Sequence, residues 1–423
     1  MKTIVIHGGG YVGLTSAVHY ARSGVWNVIV YDPDTKTVVG INSGKPRAGE
    51  FLGYIDQQVS ELVEKGTLSA TQNFDHVDMQ FYHSIAVPSE KNGEPYDEIV
   101  LSVLRKLFDS TTGPQEVVIL IESTLTPGTI EKIISEIPMH IALAVCPRRD
   151  WFADETKNLK TLPRIVGGIN EYSTKRAVEV LSTVSDDIRT TDYETAEICK
   201  ALENALLHIP VVFAHQLAFA LPDKNIREAL ALAGTHWRLS PLHLGFGTGG
   251  RCVPLGTKYL VQAAEHASAL YIGQDALTWD EEFRNVVAGV ISRNTQYVDS
   301  IDILGAGYRP DFKDIGLSAS VGIAKILATR NRLVTLIDPL WDPVELTKLT
   351  GVLCVRQMRG SLPHSIILAT PHKEFLSLPE TNPELFKNCK YILDAQGTWK
   401  KYEYLFSEWC IKYQVVGEPD WLN

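Results

Sequence analysis

The sequence predicts an α/β protein in which two doubly wound parallel-sheet domains flank a mainly helical middle domain. Three observations predict it. Short β-branched runs alternate with helically spaced segments over roughly the first 190 residues. Helical periodicity then dominates from about Tyr193 to Tyr297, broken by a glycine-rich stretch at Gly245–Gly250. After Val298 the alternation returns, with the same order of strand, glycine turn, helix, strand and acid. Such alternation argues for a parallel sheet covered by helices on both faces. A chain of 423 residues is also too long for one hydrophobic core. The expected domains are 1–190, 191–297 and 298–423.

The elements follow in order. Thr3–Ile6 is a strand-like run ending in glycines, Tyr11–Ser23 is helical, and Val28–Tyr31 is a strand ending at Asp32. This is the opening of a Rossmann-like βαβ unit. Further strands are expected at Ile85–Val87, Val117–Glu122, Ile141–Val145 and Ile165–Gly167. In the middle segment, Pro210 should kink the first long helix, because proline lacks the N–H and crowds the preceding turn. In the last third, Ile301–Leu304 leads into Gly305-Ala306-Gly307. A helix at about Ser320–Thr329 and a strand Leu333–Ile337 ending at Asp338 come next, then strands at Ser365–Thr370 and Tyr391–Leu393.

Composition narrows the function. Hydrophobic content of 45%, charged content of 21% and a net charge of −10 are those of a globular protein without a basic run. Nucleic acid and anionic membranes are therefore poor partners, whereas a small anionic substrate is allowed if cations gather locally. The six cysteines are scattered without a CxxC pair, so no metal site is expected and a reducing, cytoplasmic compartment suits them. The N-terminal apolar run is too short for a signal peptide. The most apolar stretch, Ala205 to Leu221, contains His208, Pro210, His215 and Gln216 and reads as a buried helix rather than a membrane span.

Four constellations carry chemistry. The first is Gly8-Gly9-Gly10-Tyr11-Val12-Gly13 with Asp32. Gly8 permits a tight turn, Gly10 lets backbone approach a pyrophosphate, and Gly13 lets the helix lie close to its strand. Asp32 can accept from both ribose hydroxyls and repels a 2′-phosphate, so NAD is favoured over NADP. The second is Gly245-Phe246-Gly247-Thr248-Gly249-Gly250-Arg251-Cys252, a loop that can approach a ligand closely. Cys252, beside Arg251, is either a nucleophile of lowered pKa or a buried structural cysteine. In the third, Glu197 to Asn204, helical spacing puts Lys200 and Asn204 on one face. This is either an ammonium–amide pair with a task or a solvated helix face. The fourth is Glu122-Ser123-Thr124-Leu125-Thr126-Pro127-Gly128-Thr129, whose hydroxyls sit at the carboxyl edge of a strand, where ligands bind or helices are capped.

Together these segments resemble the nucleotide-sugar 6-dehydrogenase family (UDP-glucose, UDP-N-acetylmannosamine and GDP-mannose dehydrogenases). GGGYVGL, INSGKPRAGEFLGYIDQQVSELVEKGTLSAT, AVPSE, ESTLTPGT, PRIVGG, AEICKALEN, GFGTGGRCVP, ATPHKEF and LDAQGTW occur in the family's order over nearly the whole chain. The resemblance implies oxidation of a primary alcohol of a nucleotide sugar to a carboxylate with two NAD per turnover. It implies that Cys252 is the nucleophile, that Lys200 and Asn204 stabilise an oxyanion or position water, and that Thr124 assists near the nicotinamide. Pro88 and Ser123 join Thr124, Gly8, Gly10, Tyr11, Val12, Gly13 and Asp32 at the cofactor. The resemblance also places Arg148, Lys200, Asn204, Arg238, Phe246, Gly247 and Gly249 at the substrate, with Arg238 reaching across the interface of a homodimer joined through the middle segment around Val211–Leu221, and it implies that 1–190 binds NAD, 191–297 dimerises and 298–423 binds the substrate's nucleotide.

Three departures stand out. The family has a glutamate where this chain has Arg148, an aspartate where it has Gly256, and Arg-Glu-Ser-Pro where it reads Gly316-Leu317-Ser318-Ala319. Two lost carboxylates and a gained arginine shift the expected site toward positive charge, with Asp150 and Asp154 nearby as alternative bases. The rival expectations are a two-electron enzyme that releases aldehyde or uses another nucleotide-like alcohol, and a non-catalytic nucleotide-sugar-binding paralogue.

Overall fold

The structure, a computed structural model, describes residues 1–46, 54–111, 115–151, 154, 156–330, 332–358, 360 and 363–423. Residues 47–53 of the segment from Ile41 to Thr71 thus lie outside the described residues. The chain divides into two compact units: Met1–Glu203 with Lys258–Ala267, and Asn204–Thr257 with Ser268–Asn423. The divisions fall inside two helices, Tyr193–Ala220 and Val253–Ala263.

The first unit holds β1 (Lys2–His7), β2 (Trp26–Tyr31), β3 (Leu68–Thr71), β4 (Tyr82–Ile85), the short hairpin β5 (Glu90–Lys91) and β6 (Glu94–Pro95), β7 (Val117–Ile121), β8 (Ile141–Val145), β9 (Arg164–Gly168) and β10 (Ile188–Asp192). Eight of them form one sheet in the order β10-β9-β8-β7-β4-β1-β2-β3. All its pairings are parallel except β8 with β9, which is antiparallel. Val117–Ile121 and Ile141–Val145 are buried at every position, as a sheet covered on both faces requires. Side-chain alternation divides each strand between two cores. Val118 and Leu120 pack with Leu14, Ala17 and Val18 of helix Tyr11–Arg22. Val117, Ile119 and Ile121 pack with Val100, Leu104 and Leu107 of helix Glu98–Ser110. Strand order reverses between β1 and β4, which opens a crevice at their carboxyl ends.

The second unit holds β11 (Ser300–Leu304), β12 (Val334–Ile337), β13 (His364–Leu368), β14 (Cys389–Asp394) and β15 (Lys412–Val415). They form a parallel sheet in the order β12-β11-β13-β14-β15. Ile301, Ile303, Ile367 and Leu393 share one core with Phe283, Val287 and Ile291 of helix Tyr271–Asn294. Leu304, Ile366, Leu368 and Ile392 face Phe386, Trp399 and Phe406. The α/β class expected from the sequence is therefore observed, with two Rossmann-like parallel sheets and a helical central region. Helix Tyr193–Ala220 continues on both sides of Pro210. Among the described residues, no helix is long and apolar enough to cross a membrane.

Candidate active site

The crevice of the first sheet begins at the turn after β1. Gly8 has φ +102°, and a Cβ there would come within 2.7 Å of the Ala86 carbonyl oxygen. A Cβ on Gly13 would sit 1.9 Å from the Gly8 carbonyl oxygen, so the turn and the helix meet without room for a side chain. Gly10 caps helix Tyr11–Arg22 without a side-chain hydrogen bond and has open space where its Cβ would be. The first-turn N–H groups therefore face a gap shaped for an anion. Asp32, at the end of β2, accepts from Gly9 N (2.7 Å) and Asp34 N (2.9 Å) and stays partly exposed. A glycine turn, a helix N-terminus and an outward-facing acid fit the pyrophosphate and the ribose of NAD.

Across the crevice, the Ser123 hydroxyl donates to the Val87 (2.7 Å) and Ile85 (3.2 Å) carbonyls, tying the ends of β7 and β4 together. Pro88 is exposed beside this tie and Thr124 is half-buried after it. The same turn is held further on by Glu197, whose carboxylate accepts from Gly128 N (2.7 Å) and Ile130 N (3.0 Å). Burial pushes the Glu197 carboxyl up to about 7 against those two N–H groups, with Asp97 and Glu194 adding to the rise. Lys200 lies one turn along the helix from Glu197. Its ammonium is 4.0 Å from Glu203, which also pairs with Arg149 at 2.7 Å.

Arg148 does not present its guanidinium outward. It is 7% exposed, and its nitrogens reach Asp150 (2.6 and 2.5 Å), Glu122 (3.2 Å), the Val12 carbonyl (2.8 Å), Thr15 Oγ1 (2.7 Å) and Ser16 Oγ. Arg164 binds the other oxygen of Glu122 at 3.1 Å. The two arginines thus face two carboxylates in a matched cluster. The charge gained at Arg148 is balanced locally, because a buried cation must be paired where it sits. Burial raises the Asp150 carboxyl, but the charge and hydrogen bonds of Arg148 outweigh it and bring the group down to about 2. Sequence reasoning had not singled out this cluster or Glu197. Glu122 and Glu197 stand inside quoted motifs, but their partners lie 26 to 106 residues away in the chain.

In the second unit, the glycine-rich loop leads to Cys252, which is exposed and directly precedes helix Val253–Ala263. Gly247 (φ +119°) and Gly250 (φ +81°) hold left-handed backbone. Between them Thr248 is anchored to Asp280, through its N–H (2.8 Å) and its hydroxyl (2.5 Å). Burial alone would raise the Asp280 carboxyl; the nearby His208, 4.0 Å away, the hydrogen bonds from Thr248 and the charge of Arg284 pull it down. A Cβ on Gly247 would lie 3.1 Å from Asp280, and one on Gly249 would meet Tyr308 at 2.8 Å. Phe246, expected at the substrate, is packed into the unit's core. Asn204 is buried. His208, one turn further along the helix, contacts Thr257 at 2.9 Å through Nδ1. Arg238 lies in an exposed stretch, stacked over the Trp237 ring at 4.5 Å.

The turn of the second sheet is built differently. Asp338, at the end of β12, is buried and accepts from Ala306 N (2.8 Å), Gly307 N (3.2 Å) and His372 Nε2 (3.1 Å). The His372 Nδ1 accepts from Asp311 N (2.9 Å), which fixes Nε2 as the donor. Here a buried acid takes two amides of the turn and a histidine, whereas Asp32 takes one turn amide and stays partly exposed.

Comparisons with known proteins agree with this geometry. Residues 2–185 match the NAD binding domain of the UDP-glucose/GDP-mannose dehydrogenase family, and residues 194–275 match its central domain. The chain is 27% identical over 420 residues to the UDP-N-acetyl-D-mannosamine dehydrogenase of Methanococcus aeolicus, covering 94% of this chain and 92% of that one. It is 26% identical over 429 residues to the Escherichia coli protein of the same name, covering 94% and 99%. The fold is shared with a UDP-D-ManNAc dehydrogenase from Pyrococcus horikoshii (TM-score 0.84, 23% identity, 99% of this chain and 100% of that one). It is also shared with a UDP-glucose dehydrogenase from Pyrobaculum islandicum (TM-score 0.84, 19% identity, 99% and 98%). The two family domains together span more than half of the sequence, and the glycine turn with Asp32 lies inside the first of them. The chain therefore belongs to the UDP-glucose/GDP-mannose dehydrogenase family and is an NAD-dependent nucleotide-sugar dehydrogenase.

Proposed function

We propose that this enzyme oxidises the primary alcohol of a UDP-linked N-acetylated sugar to the carboxylate, by way of covalent intermediates on Cys252. The observation that carries this reading is the exposed Cys252 at the end of a loop fixed by Thr248 and Asp280. When bound, NAD accepts the hydride removed from the alcohol carbon. The Cys252 thiolate adds to the resulting aldehyde, forming a C–S bond and an alkoxide, which is protonated to the thiohemiacetal. Loss of the hydroxyl proton to solvent and of a second hydride, which a second NAD would take, leaves a thioester. Water breaks the C–S bond and returns the thiolate and a carboxylate. In this reading Lys200 and Asn204 stabilise the oxyanion, Thr124 stands at the nicotinamide, and Arg238, Gly247 and Gly249 border the substrate. The names of the relatives support UDP-N-acetylmannosamine as the first substrate to try.

A second reading, slow hydrolysis or release of aldehyde, is favoured by one observation. Asp150 is engaged by Arg148 and held near pKa 2, which makes it a poor base for activating water. The reading places the enzyme in the cytoplasm as a homodimer joined through residues 191–297. Leu206, Phe213 and Leu221 are exposed along and just beyond helix Tyr193–Ala220, which supports such an interface.

The test counts NADH per substrate consumed and follows the intact protein by mass spectrometry. Two NADH per substrate, and an adduct on the wild type but not on Cys252→Ser, are expected. Identical products at similar rates from wild type and variant, with no adduct on either, would make Cys252 structural.

A further inference from the structure

We propose that Arg251 is a specificity-determining residue whose guanidinium takes the phosphate-bearing part of the nucleotide-linked substrate, and that position 316 is glycine to let it lie there. The inference rests on the nucleotide-sugar reading above and assigns the group that recognises the substrate's charge.

Arg251 is exposed and directly precedes Cys252. Its side chain crosses the backbone of Gly316: a Cβ at 316 would lie 2.8 Å from both Cγ and Nε of Arg251. Gly316 does not hold left-handed backbone, so space and not conformation calls for glycine. Gly250 N donates to the Gly316 carbonyl at 2.9 Å, which ties the glycine-rich loop to the segment after β11. Gly316 N in turn donates to Asp314 at 2.7 Å, and the Tyr308 ring packs on Gly250. The stem of Arg251 is thus held between two anchored segments.

The resemblance leads one to expect an arginine at 316 itself. Here the positive charge comes from the glycine-rich loop on the other side of the same tie, one residue from the proposed nucleophile. A guanidinium is permanently charged and matches two phosphate oxygens at once. In a chain of net charge −10, an anionic substrate needs such a local cation.

The test uses the full-length enzyme with NAD and UDP-N-acetylmannosamine, with UDP and uridine as calorimetric probes. Arg251→Ser is expected to raise the KM for the nucleotide sugar about ten- to hundredfold and to weaken UDP by a similar factor, the loss of a charge-assisted contact. Uridine affinity and the KM for NAD should stay within about twofold. Arg251→Lys, a milder change that guards against misfolding, should fall between. Gly316→Arg alone should be impaired because its side chain meets Arg251, and Arg251→Ser with Gly316→Arg should recover most of the UDP affinity.

Turnover of the nucleotide sugar with a KM and a UDP affinity indifferent to Arg251 overturns the inference. So does a rise confined to the KM for NAD, which would assign the arginine to the cofactor's pyrophosphate. A wild type that turns over no nucleotide sugar, yet loses UDP on Arg251→Ser, refutes the functional reading and leaves the phosphate contact standing. A wild type that binds no UDP overturns both.

Discussion

Arg148→Glu would give the chain the residue that its resemblance leads one to expect, and it should cripple the N-terminal unit. In the wild type two guanidinium groups, Arg148 and Arg164, face two carboxylates, Glu122 and Asp150. The change leaves three carboxylates around one arginine, with the Glu122 side chain fully buried and Asp150 nearly so. Removing one partner of a buried pair costs about 3–5 kcal/mol. An independent figure comes from Asp150. Its fall from 3.8 to about 2 corresponds to roughly 2 kcal/mol for that one carboxylate, to which Glu122 adds in the same direction. A lowered carboxylate pKa stabilises the fold above the unfolded value and loses that contribution as pH falls. The wild type should therefore shed this part of its stability between about pH 4 and pH 2. At pH 7.5, calorimetric melting of the variant should show the first unit unfolding about 6–20 °C lower. Because Arg148 also holds the Val12 carbonyl, Thr15 and Ser16, the KM for NAD should rise as well. A variant as stable as the wild type at pH 7.5 would refute the reasoning, since the buried carboxylates would then not depend on Arg148.

Other expectations concern separate features. Asp32→Ser should erode the preference for NAD by about tenfold or more, because it removes the carboxylate that repels a 2′-phosphate; kinetics with both cofactors read this, and an unchanged ratio removes Asp32 from the selectivity. Glu197 holds a proton in the fold up to about pH 7 that the unfolded chain releases near its ordinary 4.5, so stability should fall as pH rises through that window. Glu197→Gln should flatten this slope, and a persisting slope would show that another group causes it. Leu206→Glu with Phe213→Glu should convert the proposed dimer to monomers in sedimentation, and a variant that sediments like the wild type would place the interface elsewhere.

How far the sequence disclosed these features depended on whether the signal was local. Val117–Glu122 and Ile141–Val145 were readable because both faces of those strands are covered, so the apolar run is unbroken. Leu68–Thr71, Ile188–Asp192 and Lys412–Val415 carry no such run, being edge strands of four or five residues, each with polar positions at least partly exposed. The glycine turn and Asp32 were legible because turn, helix and acid are fixed by backbone spacing. Arg148 was not, since its surroundings come from the helix after β1 and the end of β7 as well as its own loop. Phe246 shows the converse: a residue inside a loop expected to face a ligand can turn its side chain into the core. The place of Arg251 over Gly316 also needed three dimensions, because the two lie in different segments that only folding brings together.

The buried Asp338 bears on how the enzyme handles its cofactor. The two sheets share a plan of glycine turn and acid, but Asp32 of the first takes one turn amide and stays partly exposed, whereas Asp338 of the second is buried against two turn amides and His372. Under the proposed reading the first turn is the one that takes the dinucleotide. The proposed four-electron oxidation requires a carrier that takes two electrons to be exchanged midway. During that exchange a free aldehyde would face open water and could diffuse away. Under the proposed mechanism, a bond to Cys252 keeps the half-oxidised sugar in place while reduced cofactor leaves and fresh cofactor enters. In that view the thiol serves as a tether through the changeover, a service that an enzyme with two working dinucleotide turns would not need.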